Sequence, residues 1–269
     1  MRVLMTGAAG GVATMLRPLL AGLYEEVVLS DRQAPEALAA HERFVAADLG
    51  DPASLAAACE GIDGIIHLGG FSHEAEWEVI HSANIVGCWN LFEAARQKGV
   101  ERVVFASSNH AIGFYPRRDR IGVDEPVRPD TRYGISKAFG EAVGSFYAYK
   151  IGLRALSIRI GNVGPVPLDK RRLSIWIHPE DLLALIRIGL EHPELHQAIV
   201  YGASQNERSW WDNRTAYRLG YAPKHRAEDH VELALAAQAE LPPDPIGDLF
   251  QGGTFCAAEF AGDLKRTSA

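Results

Sequence analysis

Arg2-Val-Leu-Met-Thr-Gly-Ala-Ala-Gly-Gly-Val12 decides the fold. The short apolar run from Arg2 to Met5 passes directly into a glycine-rich turn, and apolar residues then recur at helical spacing from Val12 to Leu20. The segment therefore reads strand, turn, helix, which is half of a βαβ unit. Gly7 and Gly10 stand in a G-x-x-G spacing, with Gly11 and Val12 opening the helix. Glycines there let the backbone approach a pyrophosphate, and a helix N-terminus favours its charge. Tight βα turns also need positive φ for purely structural reasons, so the residues that follow give the turn its meaning.

Working outward, the alternation continues. Val27-Val-Leu ends at Asp31, and Phe44-Val-Ala-Ala ends at Asp48-Leu49. Asp51-Pro52 is an N-cap followed by proline at the first helical position, which predicts a helix from Pro52 to Cys59. Ile65-Ile-His-Leu68 breaks into Gly69-Gly70, a long helix is expected from Trp77 to Lys98, and Arg102-Val-Val-Phe-Ala runs into Ser107-Ser108. A helix from Ser136 to Ile151 and a strand from Arg154 to Ile160 complete a pattern that requires right-handed crossovers and a parallel sheet. The expected fold class is α/β, a Rossmann-type doubly wound parallel sheet with a small C-terminal substrate lobe. The boundary is placed between 1–160, the nucleotide-binding domain, and 161–269, a lobe integrated with it that has a helix from Pro179 to Leu190, a strand from Ala198 to Tyr201 and short helices near Trp211 and Val231. From Leu241 onward the proline- and glycine-rich chain is too apolar to float free, so a packed tail is expected.

Composition removes several classes. Of 269 residues, 47% are hydrophobic and 23% charged, ordinary globular values, and no apolar run approaches the roughly 18 residues of a membrane span. The formal charge of −7 disfavours a nucleic-acid surface. Cys59, Cys88 and Cys256 are odd in number and lack CxxC spacing, so neither a disulfide framework nor a zinc site is expected. The first residues lack the pattern of a signal peptide. A cytoplasmic protein is the expectation.

Asp31 closes the second strand about 20 residues after the glycines, where a carboxylate accepts from both hydroxyls of an adenosine ribose and repels a 2′-phosphate. NAD is expected over NADP, with Arg32 the opposing signal because an arginine there pairs with a 2′-phosphate. Asp48 and Leu49 fall where an adenine would lie, and Asp48 serves equally as a helix-start aspartate. Tyr133-Gly-Ile-Ser-Lys137 places a phenol and an ammonium one turn apart on one helical face. A phenol is a poor base at neutral pH unless a nearby cation favours its anion. Ser108 ends the preceding strand at the carboxyl edge of the sheet, where open α/β folds bind ligands.

In the TGAAGG turn, Ser108 and the YGISK segment, the sequence resembles the extended short-chain dehydrogenase/reductase, or NAD-dependent epimerase/dehydratase, family over its first 160 residues. HLGGFS (67–72), SSNHAIGFYP (107–116), RRLSIW (171–176), WWDN (210–213) and FQGGTF (250–255) are similar to a branch acting on hexuronic acids. What the resemblance implies is oxidation of glucuronate or galacturonate at the anomeric hydroxyl to an aldarolactone, with NAD as acceptor and no metal. It implies Tyr133 as base, Ser108 and Lys137 as its partners, and Arg171 as clamp for the substrate carboxylate. It further implies that Ser72, Asn109 and His110 meet sugar hydroxyls, that Leu68, Gly69 and Gly70 line the cofactor, and that the chain forms a homo-oligomer. Two residues depart from the family pattern: Ala13 replaces the third glycine of the turn, and Asn162 stands in place of a smaller serine in the pocket. WWDN and FQGGTF read as scaffold. The competing reading is a sugar epimerase or dehydratase, which shares the glycine turn, Ser108, Tyr133 and Lys137. A cofactor-sensing protein without activity is disfavoured because both the tyrosine and the lysine are present.

Overall fold

The computed structural model describes residues 1–267. In chain order its strands are β1 (Arg2–Thr6), β2 (Glu26–Asp31), β3 (Glu42–Ala46), β4 (Gly64–His67), β5 (Arg102–Ser108), β6 (Arg154–Ile160), β7 (Asn162–Val163), β8 (Trp176–Ile177) and β9 (Gln197–Gly202). The principal helices are α1 (Gly11–Leu16), α2 (Pro52–Ala58), α3 (Trp77–Ile80), α4 (Gly87–Gln97), α5 (Arg132–Phe146), α6 (Arg172–Ile175), α7 (Pro179–Glu191), α8 (Arg214–Arg218), α9 (Val231–Ala239) and α10 (Thr254–Ala257).

Among the described residues, seven strands form one sheet in the order β3-β2-β1-β4-β5-β6-β9, and every neighbouring pair is parallel. Such a sheet is covered on both faces, so its strands are apolar throughout rather than alternating. Val3, Leu4, Met5, Val27, Val28 and Leu29 are all fully buried. One face packs on α1 and α7 through Leu16, Leu182, Leu185 and Ile186. The other packs on α2, α4 and α5 through Leu55, Leu91, Phe92 and Val143. Strand order reverses between β1 and β4, and this switch point opens a crevice at the carboxyl ends of the strands.

Helix boundaries shift for local reasons. The helix expected from Val12 to Leu20 stops at Leu16, and Pro18 sits in a following 3-10 turn, Arg17–Leu20, because proline supplies no N–H to a continuing ladder. The stretch expected as one helix from Trp77 to Lys98 contains a wider π turn at His81–Val86 between α3 and α4. The helix α5 starts four residues earlier than Ser136, since the Thr131 side chain accepts from Gly134 N–H and caps it. Tyr133 and Lys137 thus both lie inside α5. Asp51 caps α2 through Ala53 N–H at 3.0 Å.

The chain after Ile160 divides its work. α7 and β9 join the layers of the main sheet. The rest covers the carboxyl edge, where Trp211 Nε1–H donates to Gln251 Oε1 at 2.9 Å and fastens the tail to the segment before α8. Phe250, Gln251 and Cys256 are fully buried, so the tail packs around 250–256, while most of 241–246 and 258–267 is exposed.

Candidate active site

Two adjoining regions make the site. The first is a cleft of about 580 Å³ at the switch point, lined by Gly7, Gly10, Gly11, Val12, Asp31, Asp48, Leu49, Leu68, Gly69, Gly70 and Ser72. Gly7 adopts φ +69°, and a Cβ there would come within 2.8 Å of Gly69 N. The turn and the end of β4 therefore touch backbone to backbone, which only glycine permits. At Gly11 a Cβ would meet no protein atom within 4 Å. Its missing side chain leaves open space in the cleft itself. Asp31 is fixed there by Ala9 N–H at 3.1 Å and Arg32 N–H at 2.7 Å. Asp48 Oδ1 accepts from Gly50 N–H at 2.7 Å, a local turn contact that leaves its other oxygen to the cleft. The cleft, the glycine turn and a backbone-held carboxylate at the end of β2 fit an adenine dinucleotide with a free ribose diol.

The second region is built on α5 and the end of β5. Tyr133, Lys137 and Glu141 recur every fourth residue and face the sheet. Lys137 Nζ donates to the Ala106 carbonyl at 2.8 Å and lies 5.3 Å from the centre of the Tyr133 ring. Glu141 receives Ser107 Oγ–H at 2.6 Å and pairs with Arg159 through two 2.9 Å bonds. A Cβ at Gly140 would overlap Phe105, so glycine there lets the helix sit directly on β5. Ser108, buried at the strand end, accepts from His110 N–H at 3.2 Å.

Sugar-side candidates converge on the same spot. The His110 ring meets Tyr133 edge-on at 5.9 Å, and its Nδ1 lies 2.7 Å from the fully buried Asp130 carboxylate. With its amide oriented by its partners, Asn109 donates to the Ile160 carbonyl at 3.2 Å and accepts from Arg171 Nη2 at 3.0 Å. Arg171 Nε–H donates to the Gln251 carbonyl at 2.8 Å. Burial, with Arg172 and Arg117 adding repulsion, pushes its pKa down to about 10, so the guanidinium still carries its charge at neutral pH. Arg172 turns instead to Asp169. Ser72 lies on the cleft wall. Asn162 is half-buried in β7, two residues beyond the Ile160 carbonyl that Asn109 holds.

Several contacts at this site were not read from the sequence. Glu74 accepts Tyr133 N–H at 3.0 Å and Arg132 Nη1–H at 2.6 Å. Phe255 stacks on His110 with centroids 4.1 Å apart. FQGGTF, expected as scaffold, therefore reaches the site twice, through the Gln251 carbonyl and the Phe255 ring. Asp130 carried a usable signal in its place just before TRYGISK; Glu74 and Phe255 carried none without the fold.

The sequence profile of the NAD-dependent epimerase/dehydratase family matches residues 3–212. The chain belongs to this family. It is 46% identical over 259 residues to the uronate dehydrogenase of Pseudomonas putida, covering 96% of each chain. The crystal structure of glucuronic acid dehydrogenase from Chromohalobacter salexigens superposes with a TM-score of 0.92 at 46% identity, covering 96% of this chain and 97% of that one. A mutant uronate dehydrogenase from Agrobacterium tumefaciens complexed with NAD gives a TM-score of 0.91 at 42% identity, covering 95% and 97%.

Proposed function

We propose that the chain is an NAD-dependent dehydrogenase that oxidises a hexuronic acid, glucuronate or galacturonate, at its anomeric hydroxyl. The observation that carries the substrate class is Arg171. Its guanidinium is held on one edge by Asn109 and Gln251, leaving Nη1 without a partner among the described residues, on elements that also position His110 against Tyr133. A planar cation with an uncommitted edge suits a carboxylate. The near-full-length similarity to uronate dehydrogenases supports the same reading.

NAD in the switch-point cleft supplies the hydride acceptor. Tyr133 takes the proton of the anomeric hydroxyl as the C1–H bond gives up its hydride. Ser108 hydrogen-bonds the reacting oxygen. Lys137 brings positive charge beside Tyr133 and holds the nicotinamide ribose. The carbonyl left at C1 of the ring is an aldarolactone. Ser72, Asn109 and His110 meet the ring hydroxyls, Asn162 shapes the carboxylate end, and Arg171 clamps the carboxylate. Asp31, fixed by Ala9 and Arg32 N–H groups, favours NAD over NADP.

No helix among the described residues is long and apolar enough to cross a membrane. The three cysteines are free and buried, which supports a cytoplasmic protein. Trp89 on α4 and Phe146 on α5 form an exposed aromatic pair, 44% and 46% exposed with ring centroids 6.0 Å apart. The pair supports a homo-oligomer, checked by light scattering with Phe146→Glu as the weakened form.

The test mixes purified protein with either uronate and NAD, then NADP, and follows NADH absorbance. Turnover with NAD is expected, lost in Tyr133→Phe and strongly reduced in Arg171→Ala. No NADH with either uronate overturns the substrate reading, and cofactor retained through purification would then favour an epimerase or dehydratase.

A further inference from the structure

Segments far apart in sequence meet at the start of α7. His178 is its N-cap, Glu180 lies in its first turn, and His225 comes from the loop between Tyr221 and Ala227. The His178 and His225 rings stack with centroids 3.5 Å apart and planes 22° from parallel. His225 Nε2 stands 3.1 Å from Glu180 Oε2. One donor atom from each of the three residues lies within 4.8 Å of the other two. The loop's backbone is held separately, since the buried Asp181 carboxylate accepts Lys224 N–H at 2.8 Å and His225 N–H at 3.2 Å. The three side chains are thus gathered by the fold but remain adjustable. None of them lines the dinucleotide cleft.

We propose that His178, Glu180 and His225 bind one divalent transition-metal ion of the zinc class. Two imidazoles and one carboxylate suit Zn²⁺, Ni²⁺ or Cu²⁺, whereas Mg²⁺ and Ca²⁺ require oxygen ligands. Around a tetrahedral zinc with bonds of about 2.0–2.1 Å, donors lie roughly 3.3 Å apart. The Glu180 and His225 side chains, 51% and 31% exposed, have room to rotate toward that spacing. The ion takes the place of the proton between His225 and Glu180. The contact given up is a long one, Glu180 N–H to His178 Nδ1 at 3.3 Å. Water fills the fourth position. The ion's effect is structural, fastening the loop after Tyr221 to α7 and so to the sheet.

The test uses the full chain without an affinity tag, stripped by a chelator and titrated with Zn²⁺ against a chromophoric competitor, and with Co²⁺ for its visible spectrum. One equivalent is expected, with the intense bands of tetrahedral cobalt and a higher melting temperature in zinc than in chelator. His225→Gln and Glu180→Gln should each weaken binding roughly tenfold or more and abolish the zinc-dependent rise in melting. His196→Gln, at an exposed ring elsewhere, should change neither. Glu180 is exposed enough that its variant folds normally, which circular dichroism of the metal-free protein verifies. Absence of binding, or binding indifferent to His225→Gln and Glu180→Gln, overturns the proposal.

Discussion

Glu74 and Tyr133 are joined by a 3.0 Å hydrogen bond from the tyrosine's backbone N–H to the glutamate's carboxylate. The same carboxylate pairs with Arg132, whose other nitrogen reaches Glu259 in the tail at 3.0 Å. Glu259 has φ +56°, a left-handed value shared by no other non-glycine among the described residues. Such strain persists only where surrounding contacts impose it. The loop after β4, the first turn of α5 and the tail are therefore tied together at the proposed base.

Glu74→Ala should consequently misplace Tyr133 rather than remove it. The expected result is a kcat lowered roughly 10- to 100-fold, as a displaced reacting group costs, with NAD affinity unchanged. Steady-state kinetics beside a fluorescence titration of NAD separate the two. Full kcat in Glu74→Ala would show that the helix start needs no such anchor.

Asp130 holds the ring of His110, so on the proposed reading it should influence sugar binding through that ring. Its buried carboxylate sits 2.7 Å from His110 Nδ1 and also receives Thr131 Oγ–H at 3.0 Å. Asp130→Asn changes the proton arrangement of the imidazole while keeping its volume. KM for the uronate should rise about tenfold, equal to about 1.4 kcal/mol, with a smaller effect on kcat. A KM equal to the wild type's would remove His110 from substrate binding.

Glu141 and Arg159 are a buried pair, their side chains 5% and 2% exposed. Glu141→Gln leaves the guanidinium charge without its counter-charge, and breaking a buried pair from one side costs about 3–5 kcal/mol. Urea denaturation should show a loss of that size. A change below about 1 kcal/mol would mean that the Val123 carbonyl and the Tyr201 ring suffice for Arg159.

His67 gives the fold an acid limit. Burial first, and the Lys137 charge second, push its pKa from 6.5 to about 3, while its Nδ1 pairs with Thr6 Oγ at 2.7 Å. The unfolded chain binds a proton below pH about 6.5 that the folded ring refuses until about 3. This contribution is fully present above pH 6.5 and declines by about 1.4 kcal/mol per unit as pH falls towards 3. Urea midpoints at successive pH values should fall less steeply in His67→Gln. Equal slopes would place the acid sensitivity elsewhere.

The glycine turn, the end of β2 and YGISK needed no fold to be read, because each is a local pattern whose spacing carries its own physical reason. Gly7 and Gly10 sit at a strand end, Asp31 one strand later, and Tyr133 and Lys137 one helical turn apart. Apolar runs located all seven strands of the main sheet within a few residues for the same reason, as burial on both faces leaves a continuous signal. Helix ends were less legible, since Thr131 capping and the π turn at His81–Val86 depend on side-chain geometry. The sequence by itself thus determined the class of fold, the cofactor cleft and the Tyr133–Lys137 pair. Only the tertiary structure decided that Glu74 anchors Tyr133, that Asp130 holds His110, that FQGGTF supplies Gln251 and Phe255 to the site, and that His178 and His225 stack. Those pairs lie 47 to 145 residues apart except for Asp130 and His110, 20 apart. No periodicity links residues at such separations, because their contact is fixed by how the sheet, α5 and the tail pack, not by any turn of the chain between them.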